Sequence, residues 1–190
     1  MKLIITMNGE MMGRSLLGLS KILIISLFAL GCGQVKYRKT VDKVEIEQFM
    51  GDWYVIAGRV TFLEEGAYNP LENYKFNKEK EIIEVTFTFN KDSLDGDLKT
   101  YTQKGFIINK DTNAYWKVSP FWPLKLDYLV IGLDEEYKWT AIGVPSQRYL
   151  WIMSRDKNMS KSQLDGIINQ LTTSGYNTED IVTFEHSTQD

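Results

Sequence analysis

The segment Ile82-Ile-Glu-Val-Thr-Phe-Thr-Phe-Asn90 decides the fold class of this 190-residue chain. Its apolar residues alternate with polar ones: Ile83, Val85, Phe87 and Phe89 share one face, and Glu84, Thr86, Thr88 and Asn90 share the other. Successive side chains of a β-strand point to opposite faces, so the pattern predicts a strand with one dry and one wet face. The turn that follows, Asp92-Ser-Leu-Asp-Gly96, ends in a glycine that can adopt positive φ.

Strand-like segments recur about every eight to twelve residues on both sides of this one, as in an antiparallel meander. Seven more strands are predicted: Asp52–Val60, Tyr68–Phe76, Leu98–Ile108, Ala114–Ser119, Asp127–Leu133, Trp139–Val144 and Tyr149–Ser154. The sequence therefore predicts an all-β protein, an eight-stranded up-and-down antiparallel barrel. A short strand at Ile181–Phe184 is expected to add to its edge.

One helix is predicted after the last strand of the barrel. Ser160 and Gln163 form a capping box, and Gly175 is placed to end the helix in a left-handed conformation. Leu164, Ile167, Ile168 and Leu171 form an apolar stripe between these signals. We expect this helix to pack on the outside of the barrel, because two predicted strands carry apolar residues on both faces.

Three motifs stand in a fixed order along the predicted barrel. Gly51-Asp-Trp53 opens the first strand, Asp127-Tyr128 opens the sixth, and Tyr149-Leu-Trp-Ile-Met-Ser-Arg155 forms the eighth. In order and spacing they resemble the signature regions of the lipocalins, and most closely those of the bacterial lipocalin lipoproteins. The resemblance covers residues 44–181.

The resemblance implies a structural role for Gly51, Trp53, Asp127, Tyr128 and Arg155. In the family, the first-strand Trp lies across the closed end of the barrel and a basic residue after the eighth strand packs over it. Trp53 and Arg155 are therefore expected to be partners, and a guanidinium over an indole contributes about 0.5 to 2 kcal/mol.

The resemblance also implies a hollow upper barrel that holds a small hydrophobic ligand. Alternation along the strands predicts an inward, ligand-binding set: Phe87, Phe89, Trp116, Val118, Leu129, Ile131, Tyr149, Trp151 and Met153. These side chains suit an acyl chain, since each buried methylene contributes about 0.8 kcal/mol. A barrel filled by its own side chains is the alternative interpretation.

The N-terminal region predicts a secretory signal. An apolar run at 22–30 follows Arg14 and Lys21 and precedes Gly31-Cys32. Ala29-Leu-Gly-Cys32 resembles a lipobox, so residues 1–31 are interpreted as a lipoprotein signal peptide, and translation is expected to start at Met11 or Met12. An ordinary signal peptide is the alternative.

These boundaries define the expected organisation of the chain. Acylated Cys32 and a tether occupy 32–43, the lipocalin domain occupies 44–184, and a disordered tail with His186 occupies 185–190. The resemblance implies a lipid-anchored protein of the outer membrane, facing the periplasm.

Composition excludes several function classes. A net charge of −3 gives no basic surface for nucleic acid. One Cys and one His leave no internal disulfide and no multi-cysteine or histidine-rich metal site, and no metal or cofactor is expected. Acidic pairs such as Glu64-Glu65 are interpreted as solvated turns.

The expected function is therefore binding rather than catalysis. The protein is predicted to carry or store fatty acids or lysophospholipids, with a homodimer left open. A lipocalin-fold enzyme is the alternative, and it would need an acid or base in the barrel interior, where the predicted inward faces offer only Tyr149.

Overall fold

The computed structural model describes residues 37–187, apart from the side chain of residue 63. The described residues belong to one compact unit. The predicted signal peptide and Cys32 lie outside the described residues. Within 37–187, no helix is both long and apolar enough to cross a membrane.

The described chain is a barrel of short strands with one long helix. The elements are α1 Ile46–Phe49, β1 Gly51–Arg59, β2 Ala67–Asn77, β3 Ile82–Lys91, β4 Leu98–Ile107, β5 Tyr115–Ser119, β6 Leu126–Leu133, β7 Trp139–Gly143, β8 Leu150–Ser154, α2 Lys161–Thr173 and β9 Val182–Thr183. A single 3₁₀ turn, Phe62–Glu64, lies between β1 and β2. Every predicted strand boundary lies within one residue of the observed one, which confirms the predicted barrel; α1 was not predicted.

The sheet closes on itself through β1. Strands β2 to β8 pair with their sequence neighbours in antiparallel order, β8 pairs with β1, and β1 pairs back with β2. Trp53 lies opposite Glu72 in the closing pair. On the other side of β1, Val55 lies opposite Met153, and a bulge between Val55 and Ala57 follows.

The C-terminal segment fills the upper part of the β1–β2 seam. Pairing of β1 with β2 covers only residues 51–54, and above it β9 pairs with Ala57 and Gly58. The Asn69 amide of β2 donates to the Glu185 carbonyl, and His186 Nε2 lies 2.9 Å from the Val55 carbonyl oxygen. The prediction of a disordered tail is therefore wrong for residues 185–187, because the Glu185 carbonyl, the His186 ring and the Ser187 amide form hydrogen bonds with β1 and β2.

The apolar residues form two clusters on opposite sides of the sheet. The interior cluster fills the barrel and includes Phe49, Trp53, Val55, Tyr74, Ile83, Val85, Phe87, Phe89, Trp116, Val130, Ile142 and Met153. The helix-side cluster lies between the sheet and α2 and includes Ile56, Leu129, Ile131, Leu150, Ile152, Leu164, Ile167 and Leu171. The capping box of Ser160 and Gln163 starts α2 as predicted.

One end of the barrel is closed by α1 and Arg155. The guanidinium carbon of Arg155 lies 3.7 Å from the centre of the Trp53 ring system, the arrangement that the family resemblance implies. Its Nη2 donates to the carbonyls of Gln48, Phe49 and Met50 at 2.8, 3.1 and 2.8 Å. These are carbonyls at the end of α1, which have no partner within so short a helix.

Gly51 is required at this end by its backbone. Its φ is +95°, a conformation that residues with a Cβ rarely adopt. The chain turns here from α1 into β1, and a Cβ at this position would lie 3.4 Å from Arg155 Nη1. The turn thus brings α1 and Trp53 under the same guanidinium.

The segment before α1 packs on the barrel. The Tyr37 amide donates to the Pro145 carbonyl, and the Val41 amide donates to the Val130 carbonyl. The Tyr37 ring meets the Tyr176 ring edge to face, with centroids 4.8 Å apart. The predicted tether is therefore wrong for residues 37–43, because these residues have hydrogen-bond and ring partners on the folded domain.

Replacing Arg155 with Ala is expected to destabilise the fold by about 3 kcal/mol, because several carbonyls lose a charged donor and the indole loses its cover. Urea unfolding measures the change. Arg148→Ala is the matched control, because its side chain is exposed, and we expect it to change stability by less than about 0.5 kcal/mol. Equal effects of the two substitutions would contradict the role given to Arg155.

Tyr176→Phe is expected to lower stability by about 1 to 2 kcal/mol. The Tyr176 hydroxyl accepts from the Val144 amide at 2.9 Å and lies 2.6 Å from the Tyr149 carbonyl oxygen, so its removal leaves both groups without this partner. Thermal unfolding checks the effect against Tyr68→Phe, whose hydroxyl makes no hydrogen bond within the described residues. If Tyr176→Phe and Tyr68→Phe have the same unfolding temperature, the Tyr176 hydroxyl does not stabilise the packing of the C-terminal region on the barrel.

Candidate ligand-binding site

The end of the barrel opposite α1 and Arg155 is formed by loops, and among the described residues no α-helix covers it. Four loops surround this end, at 60–66, 92–97, 120–125 and 144–149. We call it the open end. The candidate site is the set of inward side chains between the open end and Trp53.

Most of the predicted inward residues lie inside the barrel. Phe87, Phe89, Trp116 and Met153 belong to the interior cluster, and Trp151 packs against it. Val118 lies two residues after Trp116 on β5 and therefore on the same face. Tyr149 precedes β8, and its ring centroid lies 5.8 Å from that of Trp151.

The inward face predicted for β6 is wrong by one residue. Leu129 and Ile131 belong to the helix-side cluster, whereas Tyr128 and Val130 face the interior. Tyr128 stacks on Trp116, with ring centroids 5.1 Å apart and planes inclined by 4°. Both faces of β6 are apolar, one against the interior and one under α2, so alternation alone does not distinguish them.

Asp127 lies on the outer face of β6. Its carboxylate is 2.6 Å from Lys117 Nζ and accepts a hydrogen bond from the Tyr115 hydroxyl at 2.5 Å. This group pairs β5 with β6 on the outside of the barrel. Asp127 therefore contributes to the sheet and not to the interior.

Glu72 places a carboxyl group inside the barrel. It lies opposite Trp53 on one side and Phe87 on the other, and both of these belong to the interior cluster. Only 9% of Glu72 is exposed, and within the described residues its carboxyl group has no hydrogen-bond or ion-pair partner. Burial, with a smaller contribution from the charge of Glu64, raises the pKa of Glu72 to about 8.

Glu64 reaches the interior from the 3₁₀ turn near the open end. Its Oε1 accepts from the Trp151 indole at 2.6 Å, and its Oε2 accepts from the Thr61 amide and hydroxyl, each at 2.7 Å. Burial raises the pKa of Glu64 although these hydrogen bonds act in the opposite direction. The interpretation of Glu64 as a solvated turn residue is therefore wrong.

Two tyrosines complete the polar part of the interior. The hydroxyls of Tyr74 and Tyr128 lie 2.6 Å apart. Burial, together with the charge of Glu72, raises the pKa of Tyr128 well above its ordinary value. We call Glu64, Glu72, Tyr74, Tyr128 and Trp151 the interior polar belt.

Part of this belt was accessible to sequence reasoning. On β2, Glu72 shares its face with Tyr74 and Phe76, so alternation around these two aromatic residues would have placed the carboxyl group inside. No comparable signal exists for Glu64. It lies in a loop, and its contact with Trp151 joins residues 87 positions apart.

The open end carries exposed apolar side chains. Phe62 is 82% exposed and Trp122 is 88% exposed. The others are Leu98, Phe121, Leu124 and Leu126, and we call these six residues the apolar rim. Lys91, Lys99 and Lys125 are basic residues at the same end of the barrel.

The described residues contain no group of three or more His, Cys, Asp or Glu side chains placed to hold a metal ion. The chemistry that the interior offers is therefore apolar contact, aromatic contact and the two carboxyl groups.

Comparison with known families and sequences gives a consistent result. The profile of the lipocalin-like domain family matches residues 44–186. The outer membrane lipoprotein Blc of Vibrio cholerae serotype O1 is 26% identical over 163 residues, which cover 85% of this chain and 94% of that protein. Blc of Escherichia coli K12 is 27% identical over 136 residues, covering 72% and 76%. Temperature-induced lipocalin-1 of Arabidopsis thaliana is 26% identical, covering 74% and 78%.

Solved structures show the same fold at low sequence identity. Insecticyanin of the tobacco hornworm Manduca sexta has a TM-score of 0.61 and 17% identity, covering 83% of this chain and 87% of its own. Apocrustacyanin C2 has a TM-score of 0.59 and 11% identity, covering 74% and 79%. Because the family match spans most of the chain and the barrel agrees with it, this protein belongs to the lipocalin-like family.

Proposed function

We propose that this lipocalin is an outer-membrane-anchored carrier that holds the acyl chain of a fatty acid or a lysophospholipid inside the barrel. The observation that carries the proposal is the apolar and aromatic inner face of the strands, from Phe87 and Phe89 to Met153, beneath a rim of exposed apolar residues. Burial of eight methylenes contributes about 6 kcal/mol before ordering costs, which corresponds to a Kd of about 40 μM, and a longer acyl chain binds more tightly.

The charges support one orientation of such a ligand. Burial raises the pKa of both Glu64 and Glu72, so the interior disfavours a negative charge, including that of an anionic head group. Lys91 and Lys99 at the open end are paired with Asp92 and Asp97. Lys125, whose Nζ lies 4.6 Å from the centre of the Phe106 ring, adds a positive charge at this end that attracts a carboxylate or a phosphate. The acyl chain therefore enters first, and the head group remains at the rim.

The proposed anchor is an acylated Cys32, as in a lipoprotein. Relatives named outer membrane lipoproteins support this location. We place the barrel on the periplasmic side.

A structural lipoprotein with a filled barrel is the second candidate. Phe89, Trp116 and Met153 are almost completely buried by other side chains of the protein. In this candidate the interior clusters only stabilise the fold, and no acyl ligand binds. Titration with lipid distinguishes the two functions.

Val118→Phe is expected to weaken lipid binding about tenfold, or about 1.4 kcal/mol, because the larger ring occupies interior space near the open end. Binding of palmitate and of lysophosphatidylglycerol is measured by tryptophan fluorescence, since Trp116 and Trp151 face the interior. Thr102→Phe is the matched control: Thr102 is exposed on the outer face of β4.

Saturable binding that weakens in Val118→Phe and persists in Thr102→Phe supports the carrier function. Circular dichroism first establishes that both variants are folded. Equal weakening in both variants would contradict binding inside the barrel. Absence of binding in the unmodified protein would favour the filled barrel.

A further inference from the structure

Glu72 places a carboxyl group in the barrel interior, and binding of an apolar acyl chain gives no reason for a carboxyl group at this position. It is nine-tenths buried, it points into the barrel, and no described residue donates a hydrogen bond to it. Glu64, by contrast, accepts three hydrogen bonds from Trp151 and Thr61. Among the described residues, only His186 Nδ1 is a fully buried side-chain polar atom without a partner. The Glu72 oxygens therefore keep some accessible surface, at which a bound donor can reach them and offset the cost of ionising the group there.

We infer that Glu72 forms a binding site for the ammonium group of a lipophilic amine inside the barrel. The inference rests on the proposed function only in requiring that a ligand enters the interior. It adds a second ligand chemistry, a cation, to the apolar contacts already described. An aminolipid and a simple alkylamine share this chemistry.

The charges around Glu72 favour a cation. The charged group that acts on Glu72 is Glu64, also a carboxylate, and no Lys or Arg of the described residues contributes to the Glu72 titration. Two carboxyl groups in electrostatic contact repel an anionic ligand group and attract an ammonium. The basic residues named above lie at the open end, and two of them, Lys91 and Lys99, are paired with Asp92 and Asp97.

The surrounding rings favour the same ligand. Trp53 and Phe87 are the cross-strand neighbours of Glu72. Tyr128 lies close enough for the charge of Glu72 to raise its pKa. Aromatic faces attract cations, most strongly where water is excluded, so a carboxylate among aromatic rings suits an ammonium better than a neutral hydroxyl.

Protonation links amine binding to pH. Because the pKa of Glu72 is about 8, the group is mostly neutral at pH 6 and mostly ionised at pH 9. An ammonium binds the ionised form, so binding displaces the Glu72 proton to solvent. The affinity should rise about tenfold per pH unit below pH 8 and level off above it. Tyr128 remains neutral across this range because its pKa is raised.

The test compares three ligands of equal chain length. The chain from residue 33 is titrated calorimetrically with octylamine, octanoate and 1-octanol at pH 6 and pH 9. We expect octylamine to bind more tightly at pH 9 than at pH 6 by about two orders of magnitude, from the ionised fractions of a group with a pKa of about 8. Octanol should show no such dependence, and octanoate should bind more weakly than octylamine at pH 9.

Glu72→Gln supplies the matched variant, because it keeps the shape of the side chain and removes its charge. We expect it to weaken octylamine binding at pH 9 at least tenfold and to abolish the pH dependence. Glu84→Gln is the control, since Glu84 is exposed on the outer face of β3. Thermal unfolding establishes that both variants are folded.

Two results would overturn the inference. One is equal affinity for octylamine and octanol at pH 9 in the unmodified protein, which requires no variant. The other is equal octylamine binding by the two variants. Lysophosphatidylglycerol, which has no ammonium group, tests the carrier function separately. If it binds while octylamine binds no more tightly than octanol, the carrier function is supported and the amine site is contradicted. Lysophosphatidylethanolamine then tests whether an aminolipid supplies the ammonium.

Discussion

The contact between Arg155 and the end of α1 closes one end of the barrel. One guanidinium lies over Trp53 and supplies hydrogen-bond donors to Gln48, Phe49 and Met50, whose carbonyls the short helix leaves unpaired. Charged donors of this kind are stronger than neutral ones. Because this end is closed, a ligand is expected to enter past the apolar rim, and the two ends of the barrel have different roles.

Polar groups lie at two depths of the interior. Near the closed end, Trp53 lies opposite Glu72, and Tyr74 and Tyr128 pack against Trp116. Glu64 and Trp151 lie nearer the open end, where lysines are also found. An amphiphile with an anionic head fits this arrangement with its chain inside and its head outside. A cationic amphiphile meets Glu72 instead, in a region of low dielectric where an ion pair is stronger than at the surface. In the two proposals, the same barrel therefore binds two ligand chemistries at two depths.

The sequence correctly predicted the strands and the closed end of the barrel. It failed where the same apolar pattern is compatible both with the barrel interior and with the surface beneath α2. The alternation of β3 and the turn glycines predicted the meander, since each strand depends on local periodicity. The face of β6 was missed because Leu129 under α2 and Val130 in the interior are equally apolar. Glu64 and His186 were misread because their partners, Trp151 and Val55, are distant in the sequence. The inward position of Glu72 could have been predicted, because Tyr74 and Phe76 lie on the same face of β2.

Native mass spectrometry with lipid extraction, on the chain from residue 33 purified from a bacterial host, tests the central claim that the barrel interior holds a ligand. The account predicts a co-purified fatty acid, lysophospholipid or lipophilic amine, at about one molecule per chain or per dimer. A ligand-free mass that remains unchanged on titration with palmitate, lysophosphatidylglycerol and octylamine would contradict it and show that the protein's own side chains fill the barrel.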